Sequence, residues 1–446
     1  MRIIIAGAGE VGTHLAKMLS NENHEIILID PEGTRLKPID STLDLQTFDG
    51  SATSLKILKE ALAKKTDLFI AVTHSEDTNI ISSILAKKLG AIKTISRIDN
   101  LEFLENSMLE YFRNLGVDSL IYPELIAARE VLGLLHETGA SDFMEFCGGK
   151  LAMYVQKLDE RAPILNMTLQ EIAISYKTDK YRAVAIKRAG NTVIPRGNEQ
   201  FQLGDLIYVI STTEGVEQMM KTSGKENFET RNIMILGGSR IGKHVALYMQ
   251  NRCSVKLIDI NLQRCEDLAE ILDNTLIING DGRNVDLLEQ EGITRMDAFV
   301  AVTGNSETNI LSCLIASKMG VKKTIAEVEN VEYINLAENT GIDTIINKKI
   351  SAASRIFRHT SNPNVTQVKY MTGAEAEVLE FIVPANSRIT KGTLRSIGFP
   401  RDAIVGGGVR DNVPFIATGD TIINANDRVV VFSLPSAYEK ISKYFT

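Results

Sequence analysis

The chain contains two copies of one long sequence pattern, and this duplication limits the possible fold more than any other feature. Residues 67–80 (DLFIAVTHSEDTNI) and 297–310 (DAFVAVTGNSETNI) share eight identities in fourteen positions, about 230 residues apart. Each copy opens with an apolar run that enters a glycine loop, GAGEVG at 7–12 and GGSRIG at 237–242. Solenoid repeats span only about 20–50 residues. The pattern therefore indicates a duplicated domain.

Composition and charge exclude several classes of protein. The net charge of −7 argues against nucleic acid as a partner, because phosphate binding needs a basic surface. There is no apolar run of roughly 18 residues, so we expect no transmembrane segment. An apolar strand that begins at Arg2 leaves no room for a signal peptide. The cysteines are scattered without metal-ligand spacing, which predicts reduced structural thiols in a cytoplasmic protein: Cys147, Cys253, Cys265 and Cys313.

Apolar periodicity predicts the same plan in both halves, an α/β fold with two Rossmann-like, doubly wound parallel-sheet domains, each followed by a small strand-rich α+β lobe. In the first half, strands are predicted near 2–6, 25–30, 44–48, 67–72, 93–97 and 118–121. The helices between them are predicted at Val11–Asn21, Thr53–Ala61, Asp77–Leu89 and Leu101–Leu115. The predicted parts are a sheet domain at 1–122, a connector helix at 123–146, a lobe at 147–222, a second sheet domain at 231–347, a second connector at 348–369 and a second lobe at 370–446.

The first glycine loop has the spacing of a dinucleotide-binding turn. Gly7 permits the tight turn, Gly9 lets the backbone approach a pyrophosphate, and Gly12 packs the helix on the sheet. The N-terminus of the following helix offers free N–H groups to phosphates. Asp30 ends the second strand and is placed to accept hydrogen bonds from a ribose diol and to repel a 2′-phosphate, which favours NAD(H), ATP or ADP over NADP. The alternative for Asp30 is a solvated aspartate at a strand end.

The second loop departs from the first at two positions. Ser239 stands where the first loop has Gly9, which leaves less room for a pyrophosphate. Arg240 replaces Glu10, and an arginine attracts additional phosphate oxygens where a glutamate repels them. Asp259 ends the second strand as its counterpart does. We therefore expect either a different phosphate preference in the second half or a loop with only a structural role.

Polar residues follow the fourth strand of each sheet, at the edge where ligands of open α/β sheets bind. These are Thr73 with His74 and Thr303 with Gly304, for which the alternative is a plain capped turn. Arg97 ends the fifth strand and is suited to pair with a phosphate or with a carboxylate of a neighbouring subunit.

The sequence gives little support for catalysis. Tyr176 and Lys180 have the spacing of a short-chain dehydrogenase pair, but they fall in the small lobe, and we interpret the match as chance. No metal-binding or nucleophile motif is present, so neither catalytic nor metal-ligating residues are predicted.

Over nearly its whole length the chain resembles the TrkA family, the peripheral subunits of Trk potassium uptake systems, which are built from tandem KTN/RCK domains. The matching stretches are 3–12, 71–79 with 96–97, 257–259 and 301–309. The resemblance implies nucleotide contacts at Gly7, Ala8, Gly9, Glu10, Val11, Asp30, Thr73, His74 and Arg97, and in the second half at Gly237, Gly238, Ser239, Arg240, Ile241, Asp259, Thr303 and Gly304.

The resemblance also implies a regulator without catalytic turnover. It predicts a homo-oligomer, expected to be a tetrameric ring, at the inner face of the cell membrane. There, binding of NAD(H), and of ATP or ADP, would control a membrane potassium-transporter subunit. Two alternatives stay open: an NAD-dependent oxidoreductase, and a nucleotide-sensing module of another membrane transporter.

Overall fold

The structure is a computed structural model, and it describes residues 1–20, 24–62, 65–176, 178–338, 340–359, 364–371 and 376–446. It divides into two compact units, Met1–Ile126 with Lys348–Ser361, and Ala127–Asn347 with Asn362–Thr446. Within the described residues, no helix combines the length and the apolar character needed to cross a bilayer.

Six parallel strands form the sheet of the first unit: β1 (Arg2–Ala6), β2 (Glu25–Asp30), β3 (Gln46–Asp49), β4 (Leu68–Ala71), β5 (Lys93–Arg97) and β6 (Ser119–Ile121). Their order is β3-β2-β1-β4-β5-β6, so the direction of winding reverses between β1 and β4. Ligands of doubly wound sheets bind at such a reversal. β1 is buried along its whole length, which explains why its sequence after Arg2 is a continuous apolar run.

The helices of this half are α1 (Glu10–Ser20), α2 (Gly33–Asp40), α3 (Leu55–Ala61), α4 (Glu76–Lys88), α5 (Asn106–Leu115) and α6 (Pro123–His136). Most match the predicted helices within two residues, although the predicted end of the first one, Asn21, lies outside the described residues. The single helix predicted over Leu101–Leu115 is wrong, because Glu105 is extended (φ −65°, ψ 144°) and separates a short 3₁₀ turn from α5. α2 was not predicted, since it buries only Leu36 and Ile39 and contains Pro38.

The first lobe is an antiparallel sheet with two short helices. Its elements are β7 (Asp142–Phe146), β8 (Leu151–Lys157), α7 (Leu169–Tyr176), β9 (Tyr181–Arg188), β10 (Asn191–Val193), β11 (Leu206–Thr212) and α8 (Val216–Thr222). The strand order is β10-β9-β11-β8-β7.

The second sheet domain repeats the first. It consists of β12 (Asn232–Leu236), α9 (Arg240–Met249), β13 (Ser254–Asp259), α10 (Leu262–Ala269), β14 (Thr275–Asn279), α11 (Val285–Gln290), β15 (Ala298–Ala301), α12 (Ser306–Lys318), β16 (Lys323–Glu327), α13 (Val331–Glu338) and β17 (Thr344–Ile346). Its parallel strands have the equivalent order, β14-β13-β12-β15-β16-β17.

The chain then forms the connector helix α14 (Lys348–Phe357) and the second lobe: β18 (Val365–Tyr370), β19 (Glu377–Ile382), β20 (Ala403–Arg410), β21 (Val413–Ile416), β22 (Arg428–Ser433) and α15 (Tyr438–Ser442). The order β18-β19-β22-β20-β21 matches that of the first lobe. The two lobes share one apolar core, in which the rings of Tyr208 and Phe432 lie 5.6 Å apart. The predicted fold class is confirmed in both halves.

Each connector helix packs on the sheet domain of the other half. From Ala127 to Leu135, α6 contributes its apolar face to the core of the second sheet domain. In the first unit, α14 packs against α1 and β6. The first sheet domain therefore carries a helix that the sequence places more than 200 residues after it. This exchange brings side chains of α14 close to the first glycine loop.

Candidate functional site

The first glycine loop lies directly after β1, at the point where the sheet order reverses. Gly7 has φ +109°, and a Cβ there would lie 2.9 Å from the Thr73 nitrogen. A Cβ on Gly12 would lie 1.8 Å from the Gly7 carbonyl oxygen. By contrast, a Cβ on Gly9 would meet nothing within 4 Å. Close packing therefore leaves no room for a side chain at Gly7 or Gly12, whereas the space beside Gly9, at the N-terminus of α1, is open. A pyrophosphate that binds a glycine loop requires this open space next to the helix N-terminus.

Asp30 lies beneath this loop and is only 4% exposed. Its Oδ2 accepts a hydrogen bond from the Ala8 N–H at 2.6 Å, and its Oδ1 accepts one from the Glu32 N–H at 2.9 Å. The carboxylate therefore holds the loop in position. A carboxylate offers about four acceptor positions, so capacity for a ribose diol remains.

Asp259 makes the same kind of bonds in the second half and carries an additional ion pair. Its Oδ2 accepts from the Gly238 N–H at 2.6 Å and also from Arg264 Nη1 at 3.1 Å. The corresponding arginine of the first half, Arg35, pairs with Glu32 instead, at 2.8 Å. The acceptor capacity of the second aspartate is therefore partly used within the chain.

Ser239 fills the second loop with hydrogen bonds as well as with side-chain volume. Its hydroxyl accepts from the Gly242 N–H at 3.3 Å and donates to the Val302 carbonyl at 2.6 Å, so it caps α9 from inside the loop. The open position above Gly9 is thus filled by a hydroxyl in the second half. A phosphate at this helix N-terminus would have to displace that cap.

The remaining loop residues differ in what they can offer a ligand. Gly237 repeats the close approach of the first loop, with φ +107° and a Cβ position 2.9 Å from the Thr303 nitrogen. Ala8, Val11 and Ile241 bury their side chains in the core, so they can present only backbone groups.

The two charged loop residues have exposed side chains. Arg240 begins α9 and Glu10 begins α1. The Glu10 carboxylate forms an ion pair with Lys349 of α14. The expectation that Glu10 repels additional phosphates treated its charge as isolated, whereas the structure pairs it with a cation.

The turn after β4 is held by a buried asparagine that was not among the predicted site residues. Asn79 Oδ1 accepts from the Thr73 N–H at 2.8 Å and from the Thr73 hydroxyl at 2.7 Å. Its Nδ2 donates to the Thr73 carbonyl at 3.1 Å and to the Arg97 carbonyl at 3.0 Å. Asn79 therefore joins the ends of β4 and β5, while His74 is exposed beside them.

The second half repeats this arrangement. Asn309 accepts from the Thr303 N–H at 3.0 Å and donates to the Glu327 carbonyl at 2.9 Å, with Gly304 exposed. The signal for both asparagines was present in the sequence, because the Thr-Asn pair occurs at the same place in each copy.

Arg97 already has carboxylate partners within the first unit. Its Nη2 lies 3.3 Å from Glu124 at the start of α6 and 3.5 Å from Asp99. A phosphate that approaches Arg97 would therefore share the guanidinium with these two acids. At the corresponding position of the second half, Glu327 is buried.

The pair with short-chain dehydrogenase spacing, interpreted above as a chance match, lies in the first lobe. Tyr176 ends α7, and Lys180 pairs with Glu214 at 3.0 Å. Across the described residues, no group of three or more histidine, cysteine, aspartate or glutamate side chains is arranged to hold a metal ion. All four cysteines are free.

Two glycine loops at the reversal points of two six-stranded parallel sheets, each sheet followed by an antiparallel lobe, define a protein with tandem Rossmann-like nucleotide-binding domains. The family description "TrkA-N domain" matches residues 3–123 and 233–348, and "TrkA-C domain" matches 157–224 and 378–446. The chain belongs to the TrkA family.

Full-length relatives agree with this assignment. The chain is 33% identical over 449 residues to a Trk system potassium uptake protein TrkA homolog of Archaeoglobus fulgidus, with all of both chains covered. It is 31% identical to the Trk system potassium uptake protein TrkA of Haemophilus influenzae, covering 97% of this chain and 95% of that one. These relatives are named as transport proteins and not as enzymes.

Solved structures share the fold. The GsuK RCK domain superposes with a TM-score of 0.61 at 16% identity, covering 100% of this chain and 94% of that one. The GsuK channel bound to NAD gives a TM-score of 0.60 at 15% identity, with 98% and 78% covered.

Proposed function

We propose that this chain is the nucleotide-binding regulatory subunit of a membrane potassium uptake transporter. It acts as a homo-oligomeric, tetrameric ring on the cytoplasmic face of the membrane. Binding of NAD(H), ATP or ADP changes the conformation of the ring and so changes the rate of transport. The observation that carries the proposal is the open first glycine loop braced by Asp30, in a chain whose relatives are potassium uptake proteins over their full length. The domain boundaries given above belong to the same proposal, except that the first connector is helical only to His136, because Asp142–Phe146 is strand β7 of the first lobe.

The proposed binding residues are those of the two loops, strand ends and turns: Gly7, Ala8, Gly9, Glu10, Val11, Asp30, Thr73, His74 and Arg97, with Gly237, Gly238, Ser239, Arg240, Ile241, Asp259, Thr303 and Gly304. The first half is the stronger site. Its loop leaves the helix N-terminus open, whereas Ser239 and Arg264 occupy the corresponding positions of the second half.

The regulatory mechanism follows from differential binding. A ligand shifts a conformational equilibrium only by the difference in its affinity for the two states, typically about 1–3 kcal/mol per site. A ring of several copies adds these contributions, so moderate coupling at each loop suffices to control a transporter.

Isothermal titration of the purified chain with NADH, NAD, ATP and ADP tests the proposal. Asp30→Ala should weaken NADH binding at least about tenfold, since a hydrogen bond to a charged group contributes roughly 1.5–3 kcal/mol. Asp259→Ala is the matched control, and we expect a smaller effect because Arg264 already engages that carboxylate. Unchanged NADH affinity in Asp30→Ala, with thermal unfolding showing a folded protein, would refute the site assignment.

The oxidoreductase alternative has a separate test. A dehydrogenase would oxidise NADH steadily in the presence of a substrate and would lose activity on Tyr176→Phe. We expect no turnover, because Lys180 is engaged by Glu214 and lies outside the sheet domain. Co-purification with a transporter for another ion would favour the remaining alternative.

A further inference from the structure

A cavity of about 820 Å³ lies between the first lobe and the second lobe. Pockets that bind small molecules usually measure about 300–1,000 Å³. Every residue that lines this cavity falls within 156–223 of the first lobe or within 394–419 of the second. The cavity is therefore separate from both glycine loops, and a ligand bound there would be additional to any nucleotide.

The lining of the cavity includes many aliphatic side chains. Residues from the buried core of the first lobe line it, among them Ile164, Ile172, Ile207 and Val209. The second lobe adds the aliphatic side chain of Ile404. These side chains favour a ligand with a hydrocarbon body, because each methylene removed from water adds to the free energy of binding. They offer no hydrogen bonds to a nucleobase.

Four arginines line the cavity, and none of its described lining residues is an aspartate or a glutamate. The arginines are Arg182, Arg196, Arg395 and Arg401. Arg395 pairs with Asp420 at 3.4 Å, whereas within the described part of the chain no carboxylate pairs with the other three. A cleft lined by charges of one sign attracts ligands of the opposite sign. The cavity is therefore complementary to an organic anion with an apolar body.

Arg182 differs from the other three arginines because it is partly buried, whereas they are exposed. Its Nη1 donates to the Ala417 carbonyl of the second lobe, and the described residues engage none of its other N–H donors. Burial lowers the pKa of Arg182, and no described carboxylate offsets this effect. A guanidinium removed from water without a counter-ion is costly, and a carboxylate can pair with it through two parallel hydrogen bonds.

We propose that this cavity binds a fatty carboxylate. The charged head of the ligand pairs with Arg182, and its hydrocarbon chain lies against the aliphatic side chains of the lining. The three exposed arginines raise the local concentration of such anions through their charge.

The position of the cavity gives this ligand a consequence for the chain. Its lining comes from both lobes, so a bound carboxylate contacts both of them. A ligand that binds only the packed form stabilises that form. Binding of the carboxylate therefore stabilises the packing of the two lobes and gives the chain a ligand input that is independent of the glycine loops.

The test is isothermal titration of the full chain with decanoate at concentrations below those that form micelles. We expect saturable binding of one decanoate per chain. Octanoate is two methylenes shorter and should bind about tenfold more weakly. 1-Decanol has the same hydrocarbon chain without the charge, and it should also bind at least about tenfold more weakly.

Variants of the full chain test the role of the buried arginine. Arg182→Met keeps an apolar stem and removes the charge, so it should weaken decanoate binding at least about tenfold while leaving 1-decanol binding nearly unchanged. Arg113→Met removes an exposed arginine from α5 of the first sheet domain. It is the matched control and should leave the decanoate affinity unchanged.

Three results would overturn the proposal: no binding of decanoate, equal affinity for decanoate and 1-decanol, or an unchanged decanoate affinity in Arg182→Met. ATP that displaces decanoate and loses affinity in Arg182→Met would assign the cavity to a nucleotide and would also overturn it. If Arg182→Met does not fold, hydrogen exchange of residues 181–188 and 416–419 in the unmodified chain decides the question. Decanoate should slow exchange there more than 1-decanol at equal concentration, and equal exchange would overturn the proposal. NADH binding by Arg182→Met reports on the glycine loops separately.

Discussion

Replacing Gly9 by serine should convert the first loop into a copy of the second. In the second half, the Ser239 hydroxyl accepts from the Gly242 N–H at 3.3 Å and donates to the Val302 carbonyl at 2.6 Å. A Cβ on Gly9 would meet nothing within 4 Å, so Gly9→Ser should fold without strain. The new hydroxyl would cap α1 and occupy the N–H that a phosphate needs.

The expected cost follows from the bond that is lost. A hydrogen bond to a charged group contributes roughly 1.5–3 kcal/mol, so NADH affinity should fall about tenfold to a hundredfold. Titration calorimetry measures the affinity, and thermal unfolding should show equal or slightly higher stability, because an N-cap stabilises a helix by about 1 kcal/mol. Gly9→Ala adds a Cβ without a hydroxyl, so it separates the effect of side-chain volume from that of the helix cap. It should weaken NADH binding less than Gly9→Ser. Unchanged NADH affinity in Gly9→Ser would refute the assignment of this helix N-terminus to the pyrophosphate.

Three further changes test other parts of the account. Ser239→Gly should raise nucleotide affinity in the second half by about tenfold, measured with the first-half site inactivated. Arg240→Glu should weaken ATP and ADP binding in that half and leave NADH binding in the first half nearly intact; unaltered ATP and ADP binding would contradict this. Burial lowers the pKa of Lys323 from 10.5 to about 8, and its ammonium donates to the Ala140 carbonyl. Because its folded pKa lies below the unfolded one, the cost of the charge, up to about 3 kcal/mol, is fully present below pH ~8 and disappears as the pH rises to ~10.5. Lys323→Met should therefore stabilise the chain against urea at pH ~7 more than at pH ~10.5, whereas Lys93→Met, at the exposed counterpart position, should show no such difference; equal effects in both variants would exclude this explanation.

Apolar periodicity predicted the strands and most helices of the sheet domains, because it reflects which residues of each element are buried. A strand such as β1 is buried on both faces, and its residues after Arg2 form the continuous apolar run that such burial requires. Helix α2 was missed because it buries only Leu36 and Ile39 and contains Pro38, so its sequence has little apolar periodicity. The break at Glu105 depends on one extended residue in an otherwise helical pattern, and periodicity does not detect it.

The parts of the site that depend on distant residues could not be predicted. Asn79 acts by joining the ends of β4 and β5, which only the folded sheet brings together. The partner of Glu10 is Lys349, more than 300 residues away in the sequence. The two are brought together because each connector helix packs on the sheet domain of the other half, and the order of elements along the chain does not show this exchange. The resemblance supplied the order of the parts but not this contact.

Potassium uptake by cells shows whether this chain regulates a transporter through nucleotide binding at its first glycine loop. Rubidium influx, as a substitute for potassium, would be measured in cells that lack this chain and carry either the native chain or Gly9→Ser at matched abundance. We expect that loss of the chain alters influx, that the native chain restores it, and that Gly9→Ser, although folded, does not restore the control of influx by nucleotide. Influx that is independent of the chain, or full restoration by a variant with demonstrably lost nucleotide affinity, would exclude this regulatory role.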